Sequence, residues 1–360
     1  MINNNIFFRL IIITIIAYFI IGCNNGTKPS PEPIVGNQPL KGQKIELSET
    51  LSPIDLEIID SLIIFLTYGE PYFFHVYNKN TLKLIGKFGN EGRGPFEFHL
   101  PLMMSQKVKI RDSSYLVIFD DTRKRIDFVN ILGAINTTNN YYKSINFWNK
   151  NLEQGDIIQS AVITSDSFIV GNSSIATGNA EYGGRFFCYD IYKDIITWEP
   201  FYPIPKIAPA KNSKGDLYKS YLALRPNGSD IAAASLFFKR IDILDKQGKL
   251  KRSIIFDQIK EPDFSKADSW PPKGSHQYFT SISVSQDYIY ALDIDIDVDN
   301  PVSSDTVTIV KTTWEDKGVL PEIIKMTPRV GKMRVDEESK KIYGIRSFDS
   351  FLYIYEFGND

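Results

Sequence analysis

The chain has 360 residues, 43% of them hydrophobic and 13% aromatic, with a formal net charge of -2. That apolar content excludes an intrinsically disordered chain, and the near-neutral balance gives no electrostatic reason to expect nucleic acid as a partner. Tyr (19) and Phe (24) are abundant, and both favour the half-buried surface of a pleated sheet.

The first 22 residues read as a lipoprotein signal peptide. Arg9 and the amino group supply positive charge, and Leu10 to Ile21 is apolar apart from Thr14. A run this short falls below the roughly 18 residues of a membrane span and fits the apolar region of a signal peptide. It ends Ile20-Ile21-Gly22-Cys23, which resembles a bacterial lipobox, with Cys23 acylated as the new N-terminus. Acyl chains at about 0.8 kcal/mol per buried CH₂ then anchor the protein to a bilayer. Residues 23–42 carry Pro29, Pro31, Pro33 and Pro39 among polar residues. They read as a flexible tether reaching on the order of 60 Å if extended. Cys188, the other cysteine, lies in the strand-like run Phe186 to Asp190 and reads as a small buried hydrophobe.

From residue 43 the apolar runs are short and rich in β-branched and aromatic residues, with no sustained helical period. A polar turn followed by an apolar strand recurs at Leu62, Leu116, Phe168, Ile231, Ile289 and Ile342, at intervals of 54, 52, 63, 58 and 53 residues. Third-strand candidates recur behind them at Phe74, Arg125, Phe186, Lys239, Thr306 and Phe351. Six units of this length predict an all-β, six-bladed propeller of four-stranded blades over 43–360. The last unit runs out of chain after three strands, and Gln43 to Leu47 is a strand without a unit. Pairing the two closes the ring and covers a sheet edge.

Gly86 to Phe98 carries four glycines and Pro95 between apolar runs, marking the seam between the first two units. Its segment Gly92-Arg93-Gly94-Pro95-Phe96-Glu97-Phe98, together with the lipobox and the strand Tyr288 to Leu292, resembles the seam of TolB-like six-bladed propeller lipoproteins of gram-negative bacteria. The resemblance implies a cell-envelope protein anchored to the outer membrane, on its periplasmic or surface side, and implies fold rather than activity.

In a propeller, the loops between second and third strands and those between blades emerge on one face. Long loops gathered there read as a recognition surface for a protein or glycan. Candidate contacts are Arg93 and Glu97 of the seam, Asp121 and Arg123 of the turn Asp120 to Arg123, Tyr182, and Trp270 before Pro271-Pro272. Arg93 and Glu97 read rather as a pair pinning the seam between blades, with ligand contact the other reading. Asp293, Asp295, Asp297 and Asp299 alternate with other residues. As a strand they would place four carboxylates on one face at about 6.8 Å spacing, a weak candidate for Ca²⁺. The EF-hand glycine and terminal glutamate are missing, and a solvated hairpin extension is the other reading. The three histidines show no metal spacing, and no nucleophile elbow, Walker loop or dinucleotide fingerprint occurs. The reading is an extracytoplasmic binding or assembly module without a catalytic set or required cofactor. The alternative is a metal-dependent hydrolase or lyase, recognisable by three or four Asp, Glu, Asn or His side chains converging at the channel mouth.

Overall fold

The computed structural model describes residues 34–35, 38–50, 52–94, 97–110, 113–136, 141–146, 158–165, 167–173, 184–199, 217–256, 274–301, 304–316, 318–347 and 349–358. The expected units are six antiparallel sheets, blades I to VI, in consecutive strand order. Blade I is Asp55–Ile59, Leu62–Leu66, Phe74–Asn78 and Leu84–Phe88. Blades II to V follow in the same way, and their first strands are Pro101–Ile110, Ile158–Ser165, Ser220–Leu224 and His276–Val284. Blade VI holds Lys332–Asp336, Lys341–Ile345 and Phe351–Glu356, and its fourth strand is Gln43–Glu46 from the other end of the chain. The register pairs Phe351 with Glu46 and Leu352 with Ile45. This is the expected closure.

The side-chain alternation explains why strands such as Leu62-Ile63-Ile64-Phe65 are apolar on both faces. Alternate residues on a strand point to opposite faces. Ile64 and Leu66 enter the cluster shared with Leu116, Ile118 and Val129 of blade II. Ile63 and Phe65 enter the cluster shared with Tyr343, Ile345 and Leu352 of blade VI. Similar clusters join II to III, III to IV, IV to V and V to VI. Six inter-blade cores therefore form an unbroken ring. Cys188 is buried in the core between III and IV, and its thiol is pushed up to about 11 by burial, with Asp190 and Asp245 adding to the shift.

Two details depart from the expected boundaries. Ile34–Val35 and Leu40–Lys41, in the stretch read as tether, lie parallel to the fourth strand of blade V, with Ile34 opposite Glu322 and Leu40 opposite Met326. The outer edge of that strand presents open backbone donors and acceptors, and these short segments occupy it. Asp293 to Asp297 continues the second strand of blade V, Tyr288–Asp297, past the apolar run Tyr288 to Leu292. No described helix is long and apolar enough to cross a membrane.

Candidate ligand-binding face

The first strands of all six blades surround the central channel, and their N-terminal ends mark the face where the inter-blade seams and 2–3 turns emerge. At that end lies a mouth of about 200 Å³. Two pairs of polar side chains reach it from strand positions two apart, a spacing that puts each pair on one face. These are Lys219 with Tyr221 at the start of blade IV, and Lys332 with Arg334 at the start of blade VI. Asp55, Ser105, Gln159 and Ser160 complete the polar wall, and Leu102, Met103 and Met104 contribute apolar surface.

Arg334 also lines a second cavity of about 200 Å³ nearer the opposite face, so it occupies the waist between the two. Its Nε donates to Glu57 at 2.7 Å, Nη2 donates to Ser105 at 3.0 Å, and Nη1 donates to the Met333 carbonyl at 2.8 Å. Asp55 lies 3.5 Å from Nη2. Burial acts to lower the Arg334 pKa, but Glu57 and Asp55 outweigh it and raise the pKa above its ordinary value. This side chain ties blade VI to blades I and II across the channel.

Lys332 donates to the Thr280 carbonyl at 2.8 Å and sits 4.3 Å from the centre of the Tyr221 ring, and Lys219 sits 5.7 Å from the same ring. Burial alone would push the Tyr221 phenol up, yet Lys332 and Lys219 hold it below its ordinary value. The mouth therefore has a positive local field. Among the described residues lining it, Asp55 is the carboxylate facing the cations Lys219, Lys332 and Arg334.

The seam is pinned by Glu97 together with Arg123 rather than with Arg93. Asn90–Glu91 and Glu97–Phe98 form a parallel pair. The Glu97 carboxylate accepts from the Gly94 amide, which holds the loop locally. Arg123, from the 2–3 turn of blade II, donates to the carbonyls of Glu97 (2.9 Å) and Gly92. Arg93 is exposed and lines an open hollow with His99, Thr122, Arg123, Arg125 and Asn146. Asp121 is buried; it accepts from Lys124 at 2.7 Å and from the Ile158 amide at 3.3 Å, so it links the blade II turn to the first strand of blade III. Of the residues proposed at this face, Arg93 is the exposed one, whereas Glu97, Asp121 and Arg123 build the loops. Tyr182, Trp270 and Cys23 lie outside the described residues.

The four alternating aspartates do not share one face. Asp293 is buried beside Lys239 of blade IV at 3.0 Å. Burial pushes its carboxyl up against the pull of Lys239. Asp295 adopts a left-handed backbone (φ 40°) within a stretch of shifted register and lies 3.4 Å from His276. Asp297 accepts from the Asp299 amide at 2.9 Å, and Asp299 accepts from the Gly274 amide at 2.7 Å. The break in backbone direction at Asp295 ends the period-two alternation, so the carboxylates diverge. Among the described residues no group of three or more His, Cys, Asp or Glu is placed to hold a metal ion.

Lys219, Tyr221, Lys332 and Arg334 were not singled out by the sequence reading. Their signal was present: Lys-x-Tyr and Lys-x-Arg at the starts of first strands, where every other position faces the channel.

No protein-family model matches the chain, and no curated protein matches it by sequence. Solved structures match over most of its length. A member of the DUF4221 family from Bacteroides vulgatus aligns with a TM-score of 0.59 at 12% identity, covering 89% of this chain and 97% of that one. A Bacteroides fragilis protein, described as an inferred exported protein, aligns with a TM-score of 0.55 at 10% identity, covering 91% and 99%. At such identities the likeness is one of fold, and the fold it supports is the six-bladed β-propeller.

Proposed function

We propose that the protein is an extracytoplasmic binding or assembly module, lipid-anchored through Cys23, that presents its channel-mouth face to a protein or glycan partner. The observation that carries this reading is the composition of the mouth: cations, a tyrosine, hydroxyls and apolar surface, with one carboxylate, rather than the converging acidic and histidine side chains of a metal-dependent hydrolase or lyase. The likeness in fold to a Bacteroides protein described as an inferred exported protein supports a location beyond the cytoplasm, and so do the apolar leader and lipobox. The resemblance to TolB-like lipoproteins favours the outer membrane.

The test uses the full chain in its own envelope. Cross-linking followed by capture is expected to recover a partner protein or glycan with the wild type, and recovery is expected to fall when Arg93, exposed at this face, is replaced by Glu. Metal-dependent hydrolysis or elimination by the purified chain, with no partner recovered, would favour the enzyme reading instead. Intact-mass measurement is expected to place acyl chains on Cys23.

A further inference from the structure

We propose that the channel mouth is an anion-binding site in which Lys219 and Lys332 receive a single carboxylate or phosphate group carried on an apolar or ring-shaped body. This deepens the reading of that face as the binding face and rests on it.

The argument begins with charge. Arg334 is engaged by Glu57, Asp55 and Ser105, and with Lys219 and Lys332 the channel holds three cations against these two carboxylates, a surplus of one positive charge. Lys219 and Lys332 remain. Lys332 gives one donor to the Thr280 carbonyl and Lys219 contacts the Tyr221 ring. Among the described residues neither lies within ion-pair distance of a carboxylate. An ammonium has three donors, so both keep capacity for a ligand. They sit 4.3 and 5.7 Å from the centre of one ring and line the same mouth, so an anionic group held there is offered donors by both.

Geometry restricts the ligand further. The mouth measures about 200 Å³ and is closed below by Arg334, so it admits a pendant group rather than a polymer chain. Leu102, Met103 and Met104 line it beside the polar wall, which suits an apolar stem or a ring, and methionine adapts readily to irregular apolar shapes. In a half-enclosed site a charge-assisted hydrogen bond is stronger than at an open surface. The hollow beside Arg93 and His99 is a weaker candidate, because Arg123 and Arg125 there already donate to the Glu97 carbonyl.

The test is calorimetric titration of the full chain in non-ionic detergent with benzoate, phenyl phosphate, inorganic phosphate and benzyl alcohol. Benzoate or phenyl phosphate is expected to bind, more weakly as salt rises, and benzyl alcohol is not. Lys219→Met keeps the apolar stem and is expected to lower affinity about tenfold or more, in line with loss of one charge-assisted hydrogen bond, whereas Lys219→Arg is expected to retain binding. Among the described residues the Lys219 side chain makes no hydrogen bond, and the backbone bond from the Leu236 amide to its carbonyl is kept in the variant, so the variant should stay folded, and circular dichroism checks this. Equal anion affinity in Lys219→Met and wild type, or benzyl alcohol binding as well as benzoate, would overturn the site. Inorganic phosphate binding as tightly as phenyl phosphate would overturn the apolar-bodied ligand. Capture of a partner by a chain that binds none of the probes would remove the anion site and leave the binding face intact; probe binding without any partner would do the reverse.

Discussion

Two buried aspartates at matching positions behave differently, and the difference traces to one arginine. Lys124-Arg125-Ile126-Asp127 and Lys239-Arg240-Ile241-Asp242 open the third strands of blades II and IV with the same four residues. Each aspartate sits across the ladder from a serine, Ser144 or Ser253, and each takes its own arginine at 2.6–2.7 Å. Burial is the largest influence on both. At Asp127, Ser144 and Arg125 do not overcome it, and the carboxyl is pushed above its ordinary value. At Asp242 a second guanidinium, Arg185 from blade III, is also bound, and together with Arg240 it holds the carboxyl below that value. Arg185 further donates to Ser220 and Ser235. Arg185→Met is expected to cost about 3 kcal/mol at pH 7, since removing one partner strands a buried charge. A carboxyl with a depressed folded pKa stabilises above its unfolded value, and that stabilisation is lost as pH falls through the folded one. The difference between wild type and variant should thus narrow below the ordinary carboxyl value of 3.8. Urea midpoints measured from pH 7 to pH 3 check both parts, and a constant difference would contradict the linkage.

At the scale of elements, the seam after blade I is held by backbone shape as much as by contacts. Gly89 has φ 80°, and a Cβ there would lie 2.7 Å from the Phe74 ring and 3.2 Å from Phe98. Both rings are fully buried and stand edge to face at 5.5 Å. Gly274, with φ 72°, has nothing within 4 Å of the same position. Gly89→Ala is expected to cost about 2–4 kcal/mol, combining left-handed strain with overpacking, and Gly274→Ala about 1 kcal/mol from backbone strain alone. Thermal unfolding of the two variants separates the contributions, and equal losses would mean that packing against Phe74 and Phe98 plays no part.

At the scale of the molecule, stability depends on all six inter-blade cores closing on one another. The closing contacts join distant parts of the chain: Gln43–Glu46 on Phe351–Glu356, Arg334 on Glu57, and Lys79 on Asp336 at 2.6 Å. Just past the closing strand, the Leu47 amide donates to the Ser350 carbonyl at 2.8 Å, and its side chain is buried in the core between blades VI and I. Leu47→Pro removes that donor and is expected to cost about 3 kcal/mol or more. In an arc of repeats with nearest-neighbour coupling, opening one interface also lets the ends fray, so the urea transition should broaden as well as shift. A sharp, unshifted transition would show that closure contributes little.

The repeat was legible because its cause is local. Each strand buries both faces, so apolar runs such as Leu62 to Phe65 and Tyr288 to Leu292 recur with polar turns before them, and the surplus strand at Gln43 matched the strand missing after Phe351. The repeated Lys-Arg-Ile-Asp was equally legible and passed unread. The candidate site was not legible in the same way. Asp293 to Asp299 alternate in the sequence but diverge in space, because the left-handed backbone at Asp295 breaks the alternation. Lys219, Tyr221, Lys332 and Arg334 come from blades IV and VI, over a hundred positions apart at the extremes, and their meeting depends on where a closed ring brings its first strands. What the sequence by itself determined is the unit, its count and the edge that closes it, since those follow from nearest-neighbour periodicity; which charges face each other across the channel was decided only by the tertiary structure, because that is set by the geometry of closure.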